Sequence, residues 1–147
     1  MYICILSFDF KEGFKSMTRR EAREQSFILI FEKSFHEDTQ LSELIEFAKE
    51  NDVFRPDDYS VTLCENTVSN IEKIDSLITD NLKGWSYSRV SKVAKALLRM
   101  AVSEMLYSED VPVGAAINEA VELAKKYASD DEPSFINGIL GSVAKGL

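Results

Sequence analysis

The chain has 147 residues, 45% of them hydrophobic and 29% charged, which is the composition of one ordinary globular domain. Its 25 acids and 17 bases leave a net charge of −8, so any nucleic-acid partner must bind a local basic patch, helped by a second protein. No apolar run approaches the roughly 20 residues of a membrane-spanning helix, and no export signal is evident, so we expect a cytoplasmic protein without a membrane partner.

The two cysteines, Cys4 and Cys64, lie 60 positions apart without a CxxC spacing or a histidine cluster. This arrangement indicates two reduced thiols and argues against a disulfide framework or a zinc site. His36 has no nearby nucleophile, and no pair of acids is placed for acid–base chemistry. We therefore expect no enzyme activity, no metal and no cofactor.

Residues 1–16 do not match the rest of the chain: their apolar start is followed by Lys11-Glu12-Gly13, and Met17 then precedes a clear helix start. Codons for those three residues can spell a purine-rich ribosome-binding site. We hypothesise that translation begins at Met17 and that residues 1–16 are leader sequence read as protein. A short disordered arm is the alternative. In either case residues 17–147 are predicted to form a single helical domain.

Apolar residues at helical spacing predict three helical regions in the first half of this domain. Their bounds are about 18–35, 41–51 and 56–84. Thr18 and Glu21 have the spacing of a capping box at the first start. The third region is long for a globular helix, so we expect a break near Asn70, and Lys83-Gly84 is its predicted C-cap.

Three more helices are predicted to run from 89 to 107, from 113 to 128, and from Asp131 onward. Ser86 or Ser88 should cap the first of them, and Asp131 should cap the last, with Pro133 in its first turn. Gly138 inside the last helix costs about 1 kcal/mol relative to alanine, so it is expected to permit a close backbone contact. No stretch shows the alternation of a strand, and the predicted fold class is all-α.

Four bases follow one side of the helix predicted at 89–107, opposite its apolar side. This basic stripe consists of Arg89, Lys92, Lys95 and Arg99. A charged face in contact with solvent is one interpretation of the stripe, and a strip that faces phosphates is the other.

Two further residues admit two interpretations each. Glu104 lies in phase with the apolar side of its helix, where an unpaired charge costs several kcal/mol. It must therefore have an internal partner or lie at an edge that a partner protein covers. Phe135, near the start of the last helix, is either a core residue or an exposed platform on which a base can stack.

Several long motifs resemble the NusB family of bacterial transcription antitermination factors. They are Arg20–Glu24, LLRMAVSEM within 92–106, DVP at 110–112, AINEAVELAKKY at 116–127 and SFINGIL at 134–140. The resemblance covers Met17 to Leu147 and implies two small helical bundles. It also implies a factor that binds boxA RNA of ribosomal RNA leaders together with the ribosomal protein NusE. The pair would act on RNA polymerase elongation, and a homodimer is a further assembly that the resemblance allows.

The resemblance also implies which residues contact each partner. The RNA contacts would be Arg19, Arg20, Arg23, Asp131 and Phe135, and the protein contacts would be Phe31 and Glu104. Glu21 and Glu24 lie among the arginines, so the basic patch of this chain is expected to be thin.

Two other functions are alternatives to an RNA-binding factor. A helical adaptor would use Phe31 and Glu104 and would not contact RNA. A detached module of a ribosomal-RNA methyltransferase is the other alternative, because a related helical domain occurs in such enzymes. The chain has neither the glycine-rich cofactor loop nor the nucleophilic cysteine of that enzyme.

Overall fold

Seven α-helices and one 3₁₀ turn are present in a computed structural model that describes residues 17–52, 55 and 57–147. The helices are α1 (Arg19–Lys33), α2 (Leu41–Glu50), α3 (Asp58–Ser69), α4 (Ile71–Asp80), α5 (Lys92–Tyr107), α6 (Val113–Tyr127) and α7 (Glu132–Lys145), and the 3₁₀ turn is Tyr87–Arg89. No strand occurs in the described ranges, so the predicted all-α class is confirmed. The predictions for residues 1–16, Cys4 and Pro56 lie outside the described residues.

Helix α5 is the centre of the fold and packs against α1, α3, α4, α6 and α7. Three consecutive residues of α5, Ala96, Leu97 and Leu98, are all buried. Consecutive helical residues point about 100° apart, so a buried run of three means that α5 is covered on more than one side. Helices α1, α2 and α3 pack together, α6 and α7 pack together, and α5 joins the two small bundles.

Local signals placed most helix ends correctly. Thr18 and Glu21 form the predicted capping box: the Glu21 amide donates to Thr18 Oγ1 at 3.1 Å, and the Thr18 amide donates to Glu21 Oε2 at 2.9 Å. The predicted break is present at Asn70, between α3 and α4. Its side-chain amide donates to the Asn66 carbonyl at 2.8 Å and so competes with the regular helical hydrogen bonds.

Three predicted caps are corrected by the structure. Helix α4 ends at Asp80, and Gly84 lies further on, in a loop, with a φ of +76°. Helix α5 begins after Ser91, whose hydroxyl accepts from the Ala94 amide at 3.1 Å, so neither Ser86 nor Ser88 is its cap. Asp131 does stand at the N-cap position of α7, but its side chain accepts from the Ser129 hydroxyl and makes no capping hydrogen bond.

The predicted close contact at Gly138 is wrong. A Cβ built on this residue would meet nothing within 4 Å, and the residue is exposed. The glycine therefore weakens α7 without making room for a neighbouring helix.

We predict that Gly138→Ala stabilises the protein by up to about 1 kcal/mol, because alanine loses less backbone entropy in a helix and has free space here. Urea unfolding of the variant and the parent measures the difference. Gly84→Ala is the matched control and should destabilise by about 1–2 kcal/mol, because its φ of +76° is unfavourable for a side chain. A loss of stability in Gly138→Ala would contradict the open environment of the residue.

Candidate nucleic-acid interface

Two arginines at the start of α1 lie at the surface. The Arg20 side chain is 69% exposed, and its Nε and Nη2 donate to both carboxylate oxygens of Glu119 on α6, at 3.1 and 2.8 Å. The Arg19 guanidinium lies 3.7 Å from the centre of the Tyr59 ring, and its Nη1 is 3.6 Å from Asp110. Both guanidinium groups are therefore accessible, but each already has an acidic neighbour.

The third arginine of the segment, Arg23, is in the interior. Its side chain is only 9% exposed, and its Nε lies 2.9 Å from each carboxylate oxygen of Glu104 on α5. The Tyr59 hydroxyl on α3 donates to the same carboxylate. Arg23 therefore does not present its guanidinium at the surface of this chain, which argues against a direct RNA contact. Of the two interpretations of Glu104, the internal ion pair is the one present in the structure.

These charges form one network that is close to neutral. Arg23 Nη1 also lies 3.9 Å from Glu119, so this carboxylate stands between two arginines. The hydrogen bond from Arg20 lowers the pKa of Glu119, which therefore stays ionised at neutral pH. Burial and the hydrogen bond to Glu104 raise the pKa of Tyr59, which therefore stays protonated. A phosphate that reaches Arg20 must share it with Glu119.

The two acids predicted to thin the basic patch are both engaged. Glu21 belongs to the capping box, and Glu24 accepts from the Lys126 ammonium and the Tyr127 hydroxyl at the end of α6. Burial, and then the hydrogen bond to Glu24, raises the pKa of Tyr127. Glu24 thus holds α1 against α6 and does not oppose an incoming phosphate as a free charge would.

Asp131 and Phe135 lie together at the start of α7. Asp131 is exposed, while Phe135 is half-buried and packs against the hydrophobic core. The ring centre of Phe135 is 5.7 Å from that of Trp85, and the two planes are inclined at 60°. Asp131 comes four residues after Tyr127, the last residue of α6, so their Cα atoms are at most about 14 Å apart. Helix α6 therefore connects this region with the arginines of α1.

Phe31 belongs to a row of aromatic rings along α1. Its ring centre is 6.1 Å from that of Phe27 and 5.0 Å from that of Phe35, and Phe27 is 5.1 Å from Tyr127. Phe27 is buried, Phe31 is half-buried and Phe35 is 53% exposed. The Lys92 ammonium lies 4.6 Å from the Phe35 ring. We call the rings of Tyr127, Phe27, Phe31 and Phe35 the aromatic row. Phe35 is its exposed end, which suits contact with a protein partner.

The predicted basic stripe is interrupted. Arg99 donates to both oxygens of Asp75 at 2.8 Å, and the Tyr87 hydroxyl donates to the same acid at 2.7 Å. The Lys95 ammonium lies 4.7 Å from the Tyr87 ring, and burial lowers its pKa. Arg89 lies in the 3₁₀ turn before α5 and is exposed. Arg99 is thus engaged with an acid, and the four bases do not form a continuous phosphate-facing strip.

Three residues of this surface were missed by the sequence analysis. Glu119 and Asp75 are acids on the polar sides of their helices, and nothing in the local pattern indicates that each pairs with a distant arginine. Trp85 did carry a signal: it is the only tryptophan of the chain and stands in a loop next to bases. Its position beside Phe135 depends on how α7 packs.

The described residues include one cysteine, Cys64, and it is buried. Burial raises the pKa of Cys64 to about 12, so its thiol stays protonated and unreactive. Within the described ranges, no three His, Cys, Asp or Glu side chains are placed to hold a metal ion. None of the helices in those ranges has the length and apolar character to cross a membrane.

Comparison with known proteins gives one consistent family. The profile of the NusB family matches residues 20–145. The transcription antitermination protein NusB of Natranaerobius thermophilus is 41% identical over 135 residues, covering 89% of this chain and 97% of that protein. T. maritima NusB has a TM-score of 0.79 at 31% identity, covering 89% of this chain and 93% of that one. A crystal structure of the antitermination factors NusB and NusE in complex with double-stranded RNA has a TM-score of 0.77 at 28% identity, covering 88% of this chain and 97% of the matched one.

We predict that Arg23→Ala destabilises the protein by about 3–5 kcal/mol, because it leaves the Glu104 carboxylate buried without its cation. Urea unfolding measures the loss. Arg20→Ala is the control and should change stability only slightly, because that side chain is exposed. The double variant Arg23→Met, Glu104→Leu should recover most of the lost stability, because apolar residues can replace a buried ion pair. An Arg23→Ala variant as stable as the parent would contradict the interior role of the arginine.

Proposed function

This chain belongs to the NusB family, and on that premise we propose that it is a transcription antitermination factor. It binds boxA RNA of ribosomal RNA leader transcripts together with the ribosomal protein NusE and acts on RNA polymerase elongation. The observation that carries this proposal is the similarity, over 88% of this chain, to the structure of NusB and NusE in complex with RNA. The proposal places the protein in the cytoplasm, where transcripts are made, and assigns it no catalytic step.

We propose that RNA contacts two parts of the surface. Arg19 and Arg20 would bind phosphates, because their guanidinium groups are exposed and can donate to oxygens. Phe135 would stack on a base, and the exposed Asp131 carboxylate would accept hydrogen bonds from a base edge. Arg23 is a positioning residue in this scheme, because its pairing with Glu104 fixes the start of α1 without reaching the RNA.

The charge network supports a role for a protein partner in RNA binding. The surface arginines are paired with Glu119 and Asp110, and the whole chain carries a net charge of −8. Phosphate contacts dominate the affinity of nucleic-acid binders, so the chain alone should bind RNA weakly. We propose that NusE supplies further basic surface and that it covers the aromatic row from Phe31 to its exposed end at Phe35. A second copy of this chain could cover the same end when NusE is absent.

We predict that Arg20→Ala weakens binding of boxA RNA and reduces the slope of log affinity against log salt by about one, because one phosphate contact is lost. Phe135→Ala should cost about 1–3 kcal/mol of binding free energy while leaving the slope nearly unchanged, because stacking releases no counterions. Fluorescence anisotropy of labelled RNA, with and without NusE and over a range of salt concentrations, measures both effects.

Lys49→Ala is the control for these variants, because it removes an exposed base on α2, which lies outside the proposed RNA surface. It should leave affinity and slope as in the parent. Unchanged RNA binding in both Arg20→Ala and Phe135→Ala would favour the helical adaptor, in which the RNA is held by other proteins.

We predict that Phe31→Ala weakens binding of NusE at least about tenfold, because a half-buried aromatic ring is a typical anchor of a protein interface. Isothermal titration calorimetry with purified NusE measures the affinity. Phe31→Tyr should retain binding, since the ring is kept, and Phe47→Ala on α2 is the control for loss of an exposed ring. Parent-like affinity in Phe31→Ala would remove the aromatic row from the proposed partner surface.

A further inference from the structure

One long segment of this acidic chain contains no acid. Residues 81–103 include Lys83, Arg89 and the remaining bases of the stripe, but no Asp or Glu, although the chain has 25 acids in 147 residues. Its first part, residues 81–91, connects α4 with α5. We call this part the acid-free loop. The loop itself carries two positive charges and no negative one, and such local charge attracts phosphate. The acids of other elements that contact the loop lie at its C-terminal part, where Asp75 accepts from Tyr87 and Glu132 accepts from Ser91.

The bases of the acid-free loop differ from the arginines of α1. Lys83 and Arg89 are exposed, and among the described residues neither forms an ion pair with a carboxylate. By contrast, Arg20 is held by Glu119 and Arg99 by Asp75. The two loop bases can therefore meet an anion without first releasing an acid.

Trp85 stands between these two bases and is the most exposed aromatic side chain that the structure describes, at 57%. Folding normally buries so large an apolar ring, and tryptophan is common at surfaces that bind partners. The loop backbone turns on both sides of it: Gly84 has a φ of +76°, and the Arg89 amide donates to the Ser86 carbonyl at 3.0 Å. The two turns leave the ring at the surface, where a partner can reach it.

The position of Trp85 connects the loop to the proposed RNA site. Its ring centre lies 5.7 Å from that of Phe135, at an inclination of 60°, so the two rings touch and each supports the other. Proteins commonly hold single-stranded nucleic acid with neighbouring aromatic rings flanked by basic side chains. The nucleobases stack on the rings, and the phosphates pair with the cationic side chains.

We propose that Trp85 is a second base-stacking residue for single-stranded RNA, and that Lys83 and Arg89 bind the phosphates beside it. The RNA surface then extends from Phe135 across the acid-free loop. This inference rests on the proposed function and adds to it the site that takes the next base of the same RNA strand.

The single tryptophan gives a direct measurement. Titration of the parent protein with single-stranded boxA RNA should quench the Trp85 fluorescence, because a stacked base contacts the indole ring. The midpoint should agree with the affinity measured by anisotropy of end-labelled RNA. Phe135→Ala should still show quenching, at a higher RNA concentration. Binding that leaves the fluorescence unchanged in the parent protein would overturn the proposal.

Substitution separates stacking from charge. Trp85→Ala should weaken RNA binding by about 5- to 150-fold without changing the salt slope, and Trp85→Phe should retain part of the affinity. The double variant Lys83→Ala, Arg89→Ala should weaken binding and reduce the salt slope by about two. Phe47→Ala, which removes another exposed ring, should bind like the parent. Thermal melting verifies that each variant is folded. If Trp85→Ala does not fold, Trp85→Phe replaces it in the RNA-binding measurement.

Failure of this inference differs from failure of the proposed function. Parent-like affinity in Trp85→Ala, together with weakened binding in Arg20→Ala and Phe135→Ala, would overturn the role of Trp85 alone. Weaker binding of NusE with unchanged binding of RNA would assign Trp85 to the protein interface and also overturn the proposal. Absence of RNA binding by the parent, with and without NusE, would overturn both.

Discussion

The buried ion pair between Arg23 and Glu104 ties α1 to α5, and the Tyr59 hydroxyl brings α3 to the same carboxylate. Neither charge can be left alone in the interior, since an unpaired buried charge costs several kcal/mol. The three helices must therefore dock together for the charges to be satisfied. The direction of α1 is set by this docking, and with it the points at which Arg19 and Arg20 reach the surface.

An acidic protein that binds RNA has to keep its acids away from the phosphates. At the start of α1 the acids are close, but they are held by specific partners, as Glu119 is held by Arg20 and Glu24 by Lys126 and Tyr127. In the acid-free loop there are no acids at all. The ion pairs at the start of α1 fix the positions of its arginines but leave little unpaired positive charge there. In the acid-free loop, Lys83 and Arg89 form no ion pair with a carboxylate among the described residues. NusE provides, on the proposed function, the basic surface that this chain lacks.

Helix α6 connects the start of α1 with the region around Phe135 and Trp85. It contacts the start of α1 through Glu119, the middle of α1 through Tyr127, and leads directly to α7, where Phe135 meets Trp85. Phe135, Trp85 and the exposed arginines are therefore carried by elements that pack on one another or directly join packed helices. On the proposed function, one strand of RNA spans both regions and contacts them at this spacing.

The sequence by itself determined the helices, the capping box at Thr18, the break at Asn70 and the family, because these depend on residues near one another in the chain or on long contiguous motifs. Helical phase also showed that Glu104 needed a partner. Only the tertiary structure decided which partner: Arg23 lies 81 positions away, and Glu119 lies 99 positions from Arg20. Phase gives the direction of a side chain from its own helix axis but not which other element stands there. For that reason the paired state of Arg99, the open space at Gly138 and the contact of Trp85 with Phe135 emerged only when the helices were packed.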